Sequence, residues 1–189
     1  ADVQQAAQIL EASGAPAELR LWFMAETARC ILAIDAIAGS HPRLAGMLLG
    51  TSDLARELRV RHTPERLGFM ATLNLCVLAA RAHGLDVLDG VCLDLEDDEG
   101  LQRACVQGRD LGFDGKTLIH PRQLAAANAA FAPSPAELER AHRIIAAWRE
   151  ASARGSALVV LEGKLIENLH VAEAERLVAV AAAVAELGW

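Results

Sequence analysis

The stretch LRLWFMAE, residues 19–26, is a short, mostly apolar run that ends directly at a carboxylate. A run of this length and composition is typical of a strand that is buried on both faces of a sheet. The stretch LAGMLLGTSD, residues 44–53, repeats the arrangement, with an apolar run followed closely by a carboxylate. We therefore expect two strands whose carboxyl ends present Glu26 and then Asp53.

Helical patterns alternate with strand patterns along the whole chain. The predicted strands cover residues 19–25, 44–49, 87–93 and 116–119. Helices are predicted before, between and after them, and Thr63-Pro64 is expected to begin the helix that precedes the third strand. Alternating strands and helices favour an α/β fold with parallel strands and helical crossovers, either a barrel or an open doubly wound sheet.

Composition and charge exclude several function classes. A formal net charge of −7 argues against a protein that binds nucleic acid through a basic face. No apolar run reaches the roughly 20 residues of a membrane-spanning helix, and neither Gly-rich phosphate-binding motif occurs in the sequence. The four cysteines form no C-x-x-C pair, which predicts reduced thiols in a cytoplasmic protein.

Glu26 and Asp53 are candidate ligands for a magnesium ion. Catalytic groups of parallel barrels lie just past the carboxyl ends of the strands, and Mg²⁺ binds one or two carboxylates while it keeps several waters. No cysteine or histidine pair joins these two residues, which argues against zinc. Acidic residues after strands can also be helix caps, and this is the role that we expect for Asp97, Asp98 and Glu99.

Five motifs occur in a fixed order along the chain. They are ETARC (26–30), AGMLLGTSDL (45–54), LDGVCLDLEDDEGL (88–101), GFDGKTLIHPRQL (112–124) and LEGKLIENLH (161–170). Together they resemble the citrate lyase beta-subunit-like family, which includes malyl-CoA and citramalyl-CoA lyases. The resemblance implies that residues 1–132 are the second half of a TIM (β/α)8 barrel. It also implies that residues 133–189 form a C-terminal extension that packs on a neighbouring subunit of a homo-oligomer, a trimer or a hexamer.

The resemblance also implies an activity and its machinery. The expected protein is a magnesium-dependent carbon–carbon lyase that cleaves or forms a 3-hydroxyacyl-CoA thioester from an acyl-CoA and a 2-oxo acid such as glyoxylate or pyruvate. Glu26 and Asp53 match the family's Mg²⁺ ligands. Glu167 matches a catalytic Asp that in many members reaches a neighbouring subunit's site, although Glu replaces Asp here and the following Pro is absent. The alternatives are a malyl-CoA-type thioesterase, a 2-oxo acid aldolase that does not use coenzyme A, and a non-catalytic subunit.

Several further residues are candidates for substrate binding. Lys116 could contact the coenzyme A phosphates or lie in solvent, and Arg59, in a basic cluster with Arg56 and Arg61, could bind the same polyanion. His120 is a candidate substrate contact, although a His before Pro more often orients a loop. The family's first barrel strands and its carboxylate-binding Arg have no counterpart here, so we expect a fragment or a half-barrel that needs a partner.

Overall fold

The computed structural model describes residues 2–155 and 158–187, which form two compact units divided between residues 131 and 132. The first unit is α/β, as predicted, and is built on a four-stranded parallel sheet in the order β1-β2-β3-β4. Its strands are β1 (Leu21–Ala25), β2 (Leu44–Leu49), β3 (Asp86–Asp89) and β4 (Gly115–Lys116). Its helices are α1 (Asp2–Ala12), α2 (Ala28–Leu32), α3 (Ile34–Ala38), α4 (Thr51–Leu58), α5 (Met70–His83), α6 (Asp98–Leu111) and α7 (Leu124–Phe131).

The strand register brings all four carboxyl ends to one edge of the sheet. Ala25 pairs with Leu49 at the end of β1 and β2, and Asp89 pairs with Lys116 at the end of β3 and β4. The largest apolar cluster lies between the sheet and its helices, and its fully buried members include Met47, Phe69, Leu73 and Val87. Burial of these side chains fixes the strands, and the residues that follow each strand therefore share one edge.

The helix before β3 begins later than the sequence predicts. A 3-10 turn at Leu67–Phe69 precedes α5, which begins at Met70 rather than at Thr63-Pro64. Arg66 has a left-handed backbone, with φ of 51°, so a helix cannot pass through it. The side chain of Arg66 is bound to Asp89, a long-range contact that the local helix-start pattern does not take into account.

The helix that follows β3 begins where it is expected to. Asp97 is the N-cap of α6, and its Oδ1 accepts a hydrogen bond from the backbone N–H of Gly100 at 2.8 Å. Gly112 ends the same helix with φ of 98°, a conformation that favours glycine. The acidic residues at this helix start are therefore caps and first-turn charges, as predicted.

The second unit contains two long helices and a small hairpin. Helix α8 (Pro135–Ala153) begins at a capping box, in which the backbone N–H of Ser134 donates to Glu137 Oε2 at 2.7 Å. Strands β5 (Val159–Leu161) and β6 (Lys164–Ile166) pair antiparallel, and α9 (Asn168–Glu186) follows. Across both units, no helix of the described residues has the length and the apolar character needed to cross a membrane.

Candidate functional site

Glu26 lies at the carboxyl edge of the sheet, directly after β1. The neighbouring strand β2 is followed by Gly50, and the pairing of Ala25 with Leu49 places the two positions side by side. A Cβ atom added to Gly50 would lie 2.4 Å from Glu26 Cβ and 2.9 Å from Glu26 Oε2. The carboxylate of Glu26 therefore lies against the turn that begins α4, and only glycine leaves room for it.

Asp53 lies in the first turn of α4, three residues after Gly50. Its side chain is 49% exposed, and its Oδ1 is 2.8 Å from Nη2 of Arg56. Glu26 and Asp53 thus follow adjacent strands at the same edge and offer oxygen donors only. Within residues 2–155 and 158–187, no three His, Cys, Asp or Glu side chains are grouped to hold a metal.

A cavity of about 350 Å³ lies on the same side of the sheet, next to the start of α4. Thr51, Arg66, Phe69, Cys92 and Lys116 contribute to its walls. Thr51 begins α4, and the other four residues come from the segment before α5 and from the ends of β3 and β4. The cavity therefore extends from the helix that carries Asp53 across the second half of the sheet. Thr51 is the residue of α4 that reaches this cavity, and the carboxylates in its lining are Asp94 and Asp97 rather than Glu26 and Asp53.

A buried ionic cluster, here called the Asp89 cluster, consists of Arg66, Asp89 and Lys116. Both oxygens of the fully buried Asp89 accept from Arg66 Nη1, at 2.8 and 2.7 Å, and Oδ2 accepts from Lys116 Nζ at 3.0 Å. The side chain of Lys116 is only 1% exposed. The ammonium group of Lys116 is therefore paired with Asp89 rather than solvated, while the residue also contributes to the wall of the cavity, so its contact with coenzyme A phosphates stays a prediction.

The sequence contained one signal for the Asp89 cluster. Asp89 interrupts an apolar run that was predicted to continue as a strand to residue 93, and a carboxylate in a buried strand requires a partner of opposite charge. The strand instead ends at Asp89, whose side chain contacts the cationic groups of Arg66 and Lys116. No sequence pattern identified Arg66 as one of them.

Arg59 and His120, the other predicted substrate contacts, are exposed at the surface of the first unit. Arg59 ends α4 with a left-handed backbone, φ of 57°. His120 Nδ1 accepts a hydrogen bond from the backbone N–H of Arg122 at 3.2 Å and caps the short turn Pro121–Gln123. The described contacts of His120 are thus those of a residue that shapes its loop, while both side chains stay accessible.

Glu167 belongs to the second unit, where it is exposed at the N-cap of α9. Its backbone N–H donates to Nδ1 of His170 at 3.0 Å, and its carbonyl oxygen accepts from the His170 N–H at 2.9 Å. The hairpin of β5 and β6 leads directly into this position. Glu167 is therefore held at a defined helix start with its side chain accessible.

The buried cysteine thiols are poor candidates for nucleophiles. Burial raises the pKa of Cys76 to about 12, with a smaller contribution from the nearby Cys30. Burial also raises the pKa of Cys105, and the pKa of Cys30 is raised by burial and then by the charge of Glu26. Because the thiolate is the reactive form, these three thiols lack the lowered pKa of a catalytic cysteine.

Comparisons with known proteins identify relatives of the chain. A family model described as HpcH/HpaI aldolase/citrate lyase matches residues 1–121. The chain is 52% identical to a (3S)-malyl-CoA thioesterase of Cereibacter sphaeroides over 97% of its length, which is 64% of that relative. It is 32% identical to an L-malyl-CoA/beta-methylmalyl-CoA lyase of Rhodobacter capsulatus, over 88% of this chain and 58% of the other. The chain thus spans less than two thirds of these relatives' length.

A solved structure has a similar fold. The protein CitE of Mycobacterium tuberculosis, in complex with magnesium, acetoacetate and coenzyme A, matches 93% of this chain and 73% of its own with a TM-score of 0.74 and 28% identity. The resemblance to citrate lyase beta subunits is thereby confirmed.

The prediction of a carbon–carbon lyase is corrected, because the relatives at 49 to 52% identity are named as thioesterases and the lyases are more distant.

Proposed function

Because this chain belongs to the HpcH/HpaI aldolase/citrate lyase family, we propose that it carries the metal-binding edge of a coenzyme A thioester hydrolase that acts on (3S)-malyl-CoA. One observation carries the proposal: the 52% identity to a (3S)-malyl-CoA thioesterase extends over 97% of the chain. The two carboxylates after β1 and β2 support it, since they lie where a parallel α/β fold places its catalytic groups.

The proposed reaction splits the thioester and leaves the carbon skeleton intact. Water adds to the thioester carbonyl carbon, the carbon–sulfur bond breaks, and the sulfur leaves as the thiol of coenzyme A after it takes a proton. The other product is malate. Cysteine is not proposed as the nucleophile, because burial raises the pKa of Cys76 and Cys105 and removes their thiolates at neutral pH.

Magnesium is the proposed cofactor, with Glu26 and Asp53 as its protein ligands. The donors fit this ion, since both are carboxylates at one sheet edge and Asp53 is half-exposed, which leaves space for waters and substrate oxygens. When bound, such an ion supplies a Lewis acid for a carbonyl oxygen and lowers the pKa of a bound water. Glu26 is fixed against Gly50, and Asp53 is oriented by Arg56.

Gly50→Ala is expected to weaken metal binding by about tenfold, which is the lower end of the effect of losing a support around a metal ligand. The new Cβ would overlap Glu26 Cβ at 2.4 Å and displace the carboxylate. The measurement is a titration with Mn²⁺ followed by electron paramagnetic resonance. Gly46→Ala is the matched control, because its Cβ would meet Trp22, also at 2.4 Å, without touching Glu26. Equal Mn²⁺ affinity in both variants would contradict the placement of Glu26.

Three other polar residues are proposed for the reaction or for substrate binding. Glu167 is proposed as the base that takes a proton from the attacking water in a neighbouring subunit's site, as its exposed carboxylate allows. Arg59, exposed at the end of α4, is proposed to bind a coenzyme A phosphate. His120 is kept as a candidate substrate contact, because its side chain is exposed.

The complete barrel, the oligomeric state and the cellular compartment are also proposals. The parallel strands are proposed to form half of an eight-stranded barrel, with Trp22 and Met24 on edge strand β1 facing the rest of it, because both side chains are partly exposed. A homo-oligomer is proposed from the exposed apolar pair Val160 and Leu165 on the hairpin of the second unit. Four free thiols favour the cytoplasm as the compartment.

The activity is tested by product analysis. The purified protein is incubated with (3S)-malyl-CoA and Mg²⁺, and free thiol, malate and glyoxylate are measured in the same samples. We expect thiol and malate in equal amounts and no glyoxylate. Glyoxylate together with acetyl-CoA, or no turnover at all, would overturn the proposal, and the second result would favour a non-catalytic subunit.

A further inference from the structure

The Asp89 cluster lies at the point where β3 ends, close to both ends of the segment that carries Asp53. Asp89 is fully buried and is bound by Arg66 and Lys116, while its Oδ1 also accepts from the backbone N–H of Gly90 at 2.8 Å. Buried charges remain in place only when they are paired with good geometry. The cluster is therefore a buried, charge-paired point at the carboxyl edge of the sheet, although Nη2 of Arg66 has no hydrogen-bond partner among the residues that the structure describes.

The first end of the segment is held against this point by close packing. Thr51, the first residue of α4, is buried, and a Cβ atom added to Gly90 would lie 2.5 Å from both Thr51 Oγ1 and Thr51 Cγ2. Gly90 is in turn the residue whose N–H is bound by Asp89. The start of α4 is thus packed directly on the backbone that Asp89 holds.

The second end of the segment is held by Arg66. Its Nη1 is bound to both oxygens of Asp89, and its Nε donates to Oε1 of Gln107 at 2.6 Å. Gln107 Nε2 donates to the carbonyl oxygen of Glu65 at 3.0 Å, which adds a second link from α6 to the same place. Residues 51–66 are therefore anchored at both ends to the end of β3.

We infer that the Asp89 cluster is a positioning device for Asp53, and that Arg66 is a positioning residue of the metal site. The inference rests on the proposed role of Asp53. Helix α4 has only eight residues, and no side chain caps its start among the residues that the structure describes. So short a helix is not stable alone, and its orientation is set by what holds its ends. Groups that orient metal ligands are worth about 10- to 100-fold in metal affinity.

Arg66→Lys tests the inference, with Arg81→Lys as the matched control. Lysine keeps the charge but cannot contact Asp89 and Gln107 together. Arg81 also forms two hydrogen bonds to one carboxylate, Asp114, at 3.0 and 2.8 Å, but it does so at the amino edge of the strands. We expect Arg66→Lys to raise the dissociation constant for Mn²⁺ about tenfold, and Arg81→Lys to leave it within about twofold.

Amide hydrogen exchange supplies a readout that does not depend on the metal. In Arg66→Lys, exchange should accelerate in residues 51–66 and not in residues 2–12, whereas Arg81→Lys should leave residues 51–66 unchanged. Gln107→Ala removes the contacts of Gln107 with Arg66 and Glu65 without leaving a buried charge unpaired. It replaces Arg66→Lys if that variant does not fold, and it should likewise weaken Mn²⁺ binding and accelerate exchange in residues 51–66.

The outcomes separate this inference from the proposed function. Unchanged Mn²⁺ affinity and unchanged exchange in residues 51–66 would overturn the positioning role. A wild-type protein that binds no Mn²⁺ would overturn the metal site and with it the role of Arg66 toward Asp53. Faster exchange confined to residues 51–66 would then show only that Arg66 holds the segment.

Discussion

Glu26→Gln and Asp53→Asn are each expected to lower kcat/KM for the hydrolysis of (3S)-malyl-CoA by about a thousandfold. A bound metal contributes several kcal/mol to the stabilisation of charge in the transition state, and about 1.4 kcal/mol corresponds to a factor of ten in rate. Each amide replaces a charged oxygen donor with a neutral one of the same shape, so the sheet edge is preserved. The assay is thiol release at varied Mg²⁺, together with a Mn²⁺ titration of each variant.

Asp98→Asn is the control for this pair of variants. Asp98 is a carboxylate near the same edge of the sheet, in the first turn of α6, and its side chain is 82% exposed. We expect its activity and its Mn²⁺ affinity to stay within about twofold of wild type, since exposed surface substitutions have small effects. Activity that survives in the double variant Glu26→Gln, Asp53→Asn would exclude both residues as ligands of a catalytic metal.

Asp89→Asn is expected to lower the free energy of unfolding by about 3–5 kcal/mol, the usual effect of breaking a buried ion pair from one side. The substitution leaves the guanidinium of Arg66 and the ammonium of Lys116 enclosed without a counter-charge. Since small domains are stable by only about 5–15 kcal/mol, the loss is a large part of the total. Urea unfolding followed by circular dichroism measures it.

Glu96→Gln is the control for this prediction. Glu96 forms an ion pair with Arg122 at 2.9 Å, but its side chain is 85% exposed. An exposed pair contributes at most about 1 kcal/mol, so the free energy of unfolding should change little. The double variant Asp89→Asn, Lys116→Met removes one unpaired cation and should recover part of the stability. A loss below about 1 kcal/mol in Asp89→Asn would contradict the buried cluster.

The sequence predicted the positions of Glu26 and Asp53 in the fold because both depend on local pattern. Apolar runs mark β1 and β2, and parallel strands with helical crossovers bring the residues after them to one edge. The helix caps Asp97 and Ser134 were also predictable, since a cap requires only a few neighbouring residues.

The Asp89 cluster could not be predicted in the same way. Arg66 and Lys116 are 50 residues apart in the chain, and only the folded sheet brings them to Asp89. Arg66 also has a left-handed backbone conformation, and α5 begins at Met70 rather than at Thr63. Long-range pairing of charges has no periodic signature, so the two partners of Asp89 could not be identified from the sequence pattern.

The sequence motifs also did not distinguish a lyase from a thioesterase. Two carboxylates that hold Mg²⁺ can serve either the cleavage of a carbon–carbon bond or the attack of water on a thioester, because both reactions develop charge on a carbonyl oxygen. Identity to named thioesterases, and not any single residue, supports hydrolysis.

Hydrolysis in water enriched in ¹⁸O tests the central claim most directly, because it records which bond of (3S)-malyl-CoA is broken. If water attacks the thioester carbonyl, mass spectrometry will find one ¹⁸O atom in the malate carboxylate that was the thioester, with an equal amount of free coenzyme A. If the carbon–carbon bond is cleaved instead, acetyl-CoA and glyoxylate will appear and no malate will form, which would contradict the account.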